Sequence, residues 1–482
     1  MTLREFLPRW FRPAAYLSYN AFTMVGAVLA ISSAFTIVGF WIYDFTTGGT
    51  INPYIGLIFI LILPGIFVIG LAMMPAGALW HRHKLRAAGT LPDEYPKVDF
   101  NRPLFRQVSA WVGGFTIFNA IILSVGSYRS VEYMDSANFC GQTCHTVMQP
   151  EYTAYLNSPH QRVSCVQCHI GPGAGWFVRS KLSGVRQVLA VTFHNYDHPI
   201  PSPVEQLRPA RETCEQCHWP MMFTGDRLIV RKKFSDDEKN TPLTTVLLMK
   251  IGGHNGQMAV GIHGRHLDLK SRVQYIAMDR QRQVLPLVTY LDDGGKKIEF
   301  ASTDSKPTPQ QLAAGESRSM DCMDCHNRPA HTFQLPDRAV DQAMSEGLIS
   351  ADLPFIKKKA TEALKRGYAG RDDAAERIAS NLNDFYRTSY PDAYRDQRPA
   401  IDAAIRQVQA IYLRNVFPEM NVTWGTYPNN LGHADFPGCF RCHDGSHATA
   451  DGRTISNDCD TCHTLLAVEE PNPKVINELG MK

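Results

Sequence analysis

Cys165-Val-Gln-Cys-His169 decides how this chain is read, because the same spacing recurs at Cys214/Cys217/His218, Cys322/Cys325/His326, Cys439/Cys442/His443 and Cys459/Cys462/His463. A sixth group, Cys140-Gly-Gln-Thr-Cys-His145, has one more residue between its thiols. Two thiols so placed form thioethers to the haem vinyl groups, and the adjacent histidine reaches the iron. The six groups use all 12 cysteines. Zinc ribbons or disulfides require no histidine after every second cysteine, and neither explains a zero remainder. The reading is a multihaem c-type cytochrome with six haem c groups.

The chain, at 482 residues, has room for a membrane part and soluble lobes. A net charge of +3 is too slight to mark a nucleic-acid partner. Residues 21–43, 54–74 and 108–126 are apolar runs, each near the ~20 residues a helix needs to cross hydrocarbon. Pro64 is expected to bend the second run. No small-residue cleavage site follows the first run, so it is expected to stay as an uncleaved anchor.

Charge sets the orientation. Arg4, Arg9 and Arg12 precede the first run, the 44–53 loop has no Lys or Arg, and the next loop carries Arg82, Lys84, Arg86, Lys97, Arg102 and Arg106. Positive segments face the cytoplasm, so the third helix leaves the membrane outward just before Cys140. Haem c is attached on that same outer face. The expected location is the inner membrane, multi-pass, with the haem domain in the periplasm. The three runs contain no histidine, so no haem is expected between the helices. His81 and His83 read as headgroup-facing residues of the cytoplasmic loop.

The expected fold is a three-helix transmembrane anchor plus a haem-packed, mostly α or irregular periplasmic cytochrome with a small β insert. Residues 1–130 form the anchor, 131–220 a three-haem module, 221–305 the β-rich insert and 306–482 a C-terminal three-haem helical region. Three motifs crowd into 131–220, so the macrocycles themselves serve as core there. In the insert, residues 227–234, 244–251, 273–278 and 284–291 read as strands, and Asp292-Asp-Gly-Gly295 as a hairpin turn. Ile401, Ile405, Val408 and Tyr412 recur at helical spacing and mark a packing face.

Of 17 histidines, six follow the haem cysteines and two are cytoplasmic, which leaves nine for the opposite iron face. His160, His331, His433 and His447 are the leading candidates, followed by His263, with His194, His198, His254 and His266 ranked behind them. His331 and His447 follow motif histidines by five and four residues, too few to circle a porphyrin, so each is expected to serve a neighbouring haem.

Residues 131–220 resemble the NapC/NirT family of membrane-anchored quinol dehydrogenases, which includes NrfH-type proteins. The likeness is carried by the 140–145 motif, Met148, Pro150, Ser158-Pro-His160, the 165–169 motif, Lys181 and Arg208-Pro-Ala-Arg-Glu-Thr-Cys-Glu-Gln-Cys-His-Trp-Pro220. The remainder resembles larger inner-membrane multihaem cytochromes of metal-reducing bacteria, on Cys325-His-Asn-Arg-Pro-Ala-His331 and Gly438-Cys-Phe-Arg-Cys-His-Asp-Gly-Ser-His447.

The resemblance implies oxidation of menaquinol or ubiquinol and delivery of electrons to a periplasmic cytochrome or reductase. It sets His160 opposite His218 and places Lys181 in a quinol pocket near the first haem. The bland alternative for Lys181 is a snorkelling or propionate-pairing lysine. Asp135 and Lys181 are the candidate proton-handling groups. The chain departs from the family pattern in its long first motif, in Met148 three residues after His145, and in Gln187 where an acid is expected. Either His145 or Met148 could therefore bind the first iron on one side. The first haem is the expected entry point, and the last two motifs are candidate exits.

Two other functions compete. A terminal reductase of a small nitrogen oxyanion needs an open iron position, against which the histidine surplus and the lack of a C-x-x-C-K group argue. The other is a relay subunit of a larger complex with no quinol site of its own.

Overall fold

The computed structural model describes residues 13–14, 16–47, 62–95, 103–143, 145–171, 174–204, 207–219, 225–254, 259–267, 272–292 and 294–480. The chain divides into two units, Met1–Thr143 and Cys144–Lys482.

The first unit holds three long helices, α1 (Ala21–Thr47), α2 (Leu63–Ala87) and α3 (Pro103–Met134). Among the described residues, two segments are long and apolar enough to cross a membrane, Ala21–Ile42 and Leu63–Ala87. The first half of the run at 54–74 lies outside the described residues. Small residues let α1 and α2 approach closely: a Cβ on Gly70 would lie 2.7 Å from the Gly26 carbonyl oxygen, and one on Gly77 2.4 Å from Thr23 Oγ1. Thr23 Oγ1 donates to Met74 O at 3.2 Å and Asn20 Nδ2 to Gly77 O at 3.3 Å, polar links across the same seam. Ala30, Ala34, Ile37 and Phe67 pack with Ile122 of α3 into one buried cluster.

Pro64 stands at the start of the described part of α2, the residues before Ile62 lying outside the described ones, and Pro75 stands inside the helix. One expectation for α2 is corrected. Residues 81–86 are the last turns of α2 instead of a loop, because no breaker intervenes before Gly89. Gly89 has φ +64°, and Thr90 N donates to Leu85 O at 3.0 Å, a Schellman-type stop. His81 Nδ1 lies 3.2 Å from Leu17 O.

The second unit opens with α4 (His145–Leu156) and α5 (Ala174–Thr192). Four of the second to sixth motifs begin or end a helical turn of four or five residues (Cys165–His169, Ala210–Cys214, Cys322–Cys325, Cys459–Cys462), and Gly438–Arg441 is a 3-10 turn. Helices α6 (Pro336–Ser345), α7 (Ile356–Leu364), α8 (Arg371–Ser389) and α9 (Arg398–Asn415) then form a bundle. Ile401, Ile405, Val408 and Tyr412 are buried there with Val340, Ile378, Leu382 and Tyr386. This bundle has a conventional apolar core.

The β region is less self-contained than its sequence suggests. Strands β1 (Arg227–Phe234), β2 (Pro242–Met249), β3 (Gly253–His254), β4 (Ala259–Val260), β5 (Val273–Ala277), β6 (Leu287–Leu291), β7 (Lys297–Ser302), β8 (Glu316–Ser319), β9 (His447–Ala448) and β10 (His463–Glu470) form three sheets, ordered β1-β2-β10, β3-β4 and β8-β5-β6-β7-β9. Thus β9 and β10 come from the C-terminal haem region, and β10 follows the last motif directly. At the β6–β7 turn, Asp292 Oδ1 accepts from Gly294 N at 3.0 Å and Lys296 N at 2.8 Å.

The β1–β2 hairpin is clamped into the helical bundle. Fully buried Asn240 donates to Ala351 O at 2.9 Å and Leu353 O at 2.8 Å and accepts from Lys357 N at 3.0 Å. Lys357 Nζ, also buried, contacts Asp341 Oδ1 at 2.7 Å, and that carboxylate accepts the Phe234 amide at 3.0 Å. Desolvation pushes the Asp341 carboxyl up against the opposing pull of Lys357.

Two outcomes are expected. Asp341→Ala strands a buried ammonium and lowers the unfolding free energy of the haem-loaded protein by about 3 kcal/mol or more; adding Lys357→Met restores most of it, both read by denaturant melts. Gly70→Leu, which drives a side chain into the α1 backbone, lowers the thermal melting point in detergent far more than Gly65→Leu, whose Cβ meets nothing within 4 Å.

Candidate functional site

Five pairs of imidazole rings face one another in the second unit. Ring centroids are 6.2 Å apart for His169–His331, 6.0 Å for His160–His218, 6.4 Å for His263–His326, 5.9 Å for His266–His443 and 6.1 Å for His433–His463. Each pair joins one motif histidine to one histidine outside the motifs. Metal–imidazole bonds of about 2 Å on both faces of a porphyrin set ring centres roughly 6 Å apart. The five separations fit a bis-histidine iron.

Hydrogen bonds orient the rings. His160 Nδ1 lies 3.1 Å from Pro329 O, His331 Nδ1 3.0 Å from Glu151 O, His266 Nδ1 2.8 Å from Ile262 O and His443 Nδ1 2.6 Å from Ser456 O. A ring that donates through Nδ1 offers Nε2 to metal. Desolvation is the first cause lowering the pKa of His169, His263, His266, His326, His331 and His463, with the facing ring adding to it for His169, His263, His266 and His463. The neutral, ligating form is the one favoured.

Two expectations meet a different geometry. His447 is buried, with Nδ1 2.9 Å from Asp444 Oδ1 and Nε2 2.7 Å from Leu285 O, so neither nitrogen is left for iron. Pairing of β9 with β7 pulls it into the sheet. The ring facing His443 is His266, on the short helix Gly261–Leu267 within the β region. Nothing in its local pattern marks it except three-residue spacing from His263, which puts the rings that face two successive motifs on one side of a short helix.

Further side chains hold the motifs without a sequence signature. Buried Arg328 grips both Glu151 carboxylate oxygens at 3.1 Å, donates to His331 O at 2.8 Å and lies 4.2 Å above the Tyr427 ring. It ties the fourth motif's following segment to the helix that orients His331. Arg441, inside the fifth motif, donates to Asp324 O at 2.6 Å, inside the fourth. The Asp324 carboxylate is buried, accepts from the Tyr275 hydroxyl and the Asp321 amide, and lies 3.7 Å from Arg318.

The motifs follow one another in space as they do along the chain. Cys168 lies near Cys217, Cys214 near Cys322, Cys325 near Cys439 and Cys442, and Cys439 near Cys462.

The first motif is only partly described. Cys140 lies in the π-helical turn Phe139–Thr143, while Cys144 and the His145 ring lie outside the described residues. Met148 is half-buried on α4. Asp135 is half-buried just past the end of α3, its amide donating to Val131 O at 2.9 Å. Position 181 is on α5, its side chain outside the described residues. Along that helix Leu182, Val185, Val188 and Leu189 are exposed, an unusually apolar face.

The pairings separate His266 from His447 by experiment. His266→Ala is expected to turn one haem iron high-spin in the electron paramagnetic resonance spectrum. His447→Gln leaves the spin states unchanged and costs about 1–3 kcal/mol of stability through its lost buried hydrogen bonds.

Residues 105–208 match the model of the NapC/NirT cytochrome c family, N-terminal region. Over 485 aligned residues the chain is 41% identical to cytochrome c-type protein ImcH of Geobacter sulfurreducens, spanning 99% of this chain and 93% of that protein. It is 27% identical over 127 residues to cytochrome c-type protein NrfH of Wolinella succinogenes, spanning 26% of this chain and 71% of that one. No solved structure matches the chain. With ring pairs spaced for haem and a full-length relative that is itself a c-type cytochrome, this chain belongs to the NapC/NirT family of membrane-anchored multihaem c-type cytochromes.

Proposed function

We propose that this protein oxidises quinol at the outer face of the inner membrane and carries the electrons through six haem c groups to a periplasmic cytochrome or reductase. The observation that carries the reading is the five facing histidine pairs, each uniting a motif with a distant segment. Bound haem c supplies a one-electron iron couple at each motif. Backbone carbonyls orient four of the paired rings, and cysteines of successive motifs lie near one another. An ordered series from the second motif to the sixth supports entry at the first motif and exit through Cys439/Cys442 and Cys459/Cys462.

Three helices, α1 to α3, serve as the anchor, with the third leading outward. The exposed apolar face of α5 supports quinol access from lipid, since a lipid-soluble donor needs an apolar approach. Lys181, on the same helix, would hydrogen-bond a quinol oxygen and favour loss of its proton, with Asp135 as a second proton acceptor. Paired rings on both iron faces at five motifs oppose a terminal reductase, which needs an open position beside proton donors.

Stopped-flow haem absorbance after mixing detergent-purified protein with a menaquinol analogue tests this reading. Wild-type protein is expected to reduce fast and Lys181→Ala to reduce about tenfold or more slowly. Fully loaded wild-type protein that stays oxidised would overturn it in favour of a partner-fed relay. Equal rates in both proteins would keep the function and remove Lys181 from the site.

A further inference from the structure

Arg441 stands where the fourth and fifth motifs meet. It lies between Cys439 and Cys442, and its guanidinium donates to three main-chain carbonyls: Nε to Gly438 O at 2.8 Å, Nη1 to Arg282 O at 2.7 Å and Nη2 to Asp324 O at 2.6 Å. Asp324 belongs to the fourth motif, so one buried side chain, 8% exposed, spans both.

Three Lys or Arg residues are buried among the described residues: Arg328, Lys357 and Arg441. Arg328 has the Glu151 carboxylate at 3.1 Å, and Lys357 has that of Asp341 at 2.7 Å. Arg441 alone has no carboxylate partner among the described residues. It meets Asp324 through the backbone oxygen, while the Asp324 carboxylate is served by the Tyr275 hydroxyl, by Arg318 at 3.7 Å and by Arg282 at 3.8 Å. Carbonyl dipoles satisfy N–H groups but carry no net charge, so the positive charge of Arg441 remains where little water screens it. Carbonyls accept equally well from an uncharged amide, at a smaller desolvation cost. Charge is therefore what an arginine adds at this position.

We propose that Arg441 is a shared potential-setting charge for the fourth and fifth haems and raises the midpoint potential of both; this rests on haem filling those two motifs. The pairs His263–His326 and His266–His443 mark the two iron positions. Ferric haem carries one more positive charge than ferrous haem, so a fixed cation nearby disfavours the ferric state and favours the added electron. The charge reaches both motifs, for it opposes the desolvation that pushes up the thiols of Cys325, in the fourth, and of Cys439 and Cys442, in the fifth. With both couples raised, electrons collect at this junction, midway along the series of motifs.

The competing account makes Arg441 a staple that joins two loops by hydrogen bonds and sets no potential. Redox-titrated haem absorbance of the detergent-purified full-length protein separates the two, with haem number counted by intact mass. Arg441→Gln keeps a donor to the carbonyls and loses the charge. Two haems' share of the absorbance change is expected to move to lower potential, by about tenfold in each reduction equilibrium, or ~59 mV for a one-electron couple. Arg441→Lys loses the planar fork and keeps the charge, and both couples are expected to stay near their wild-type positions.

Equal shifts in the Gln and Lys variants, no shift in fully loaded Arg441→Gln, or a shift confined to one haem overturns the proposal. Should Arg441→Gln load fewer haems, Asp324→Asn decides: it keeps the side chain's shape, removes the neighbouring anion and is expected to raise the same two couples. No rise overturns the shared charge. Wild-type protein without haem on the peptide of either motif, read by mass, removes the haem reading there and the proposal with it.

Discussion

A pair of imidazoles held about 6 Å apart is the constraint from which the rest of this structure follows. In every described pair the two histidines come from different segments, and four of the five pairs span more than 50 residues of sequence. His160 reaches His218, His169 reaches His331, His263 reaches His326 and His266 reaches His443. Each pair closes a long loop, and loop closure reduces the unfolded chain's freedom as a cross-link does. That explains how residues 145–220 hold together with few buried apolar side chains, Val147, Ala154, Tyr155 and Ala210 among them. Ligand pairing supplies order where apolar burial is scarce.

The bundle from α6 to α9 is built on the opposite principle. It contains no motif, and its core of Val340, Ile349, Leu353, Ile378 and Val408 is fully buried. Polar attachments join it to its surroundings: Asn240 from the β1–β2 hairpin, and the Lys357–Asp341 pair that captures the Phe234 amide. Through these attachments it is joined to the β region that carries His263 and His266.

What could be read from the sequence depended on whether the responsible interaction was local. Haem motifs, the strand at 227–234 and the Ile401/Ile405/Val408/Tyr412 face are local patterns, and the strand and the face stand where their periodicity put them. The C-terminal strands were not legible. Residues 463–470 begin at a motif histidine, and their strand character comes from pairing with β2, more than 200 residues earlier. The engagement of His447 is non-local in the same way, since β7 pairs with β9 and Leu285 O takes its remaining nitrogen. Arg328 carries no motif, and its role depends on Glu151, 177 residues away.

The linear succession of motifs bears on direction. From the second motif to the sixth, cysteines of successive motifs lie near one another, and Arg441 bonds the backbone of the fourth motif from within the fifth. Neighbours so fixed keep inter-haem distances short whatever the rest of the chain does, because the linking bonds lie within the motifs themselves. At the last motif, β10 continues directly from His463. That strand pairs β2, whose other neighbour β1 is tied to the helical bundle through Phe234. The terminal motif is thereby joined, through β2 and β1, to the helical bundle.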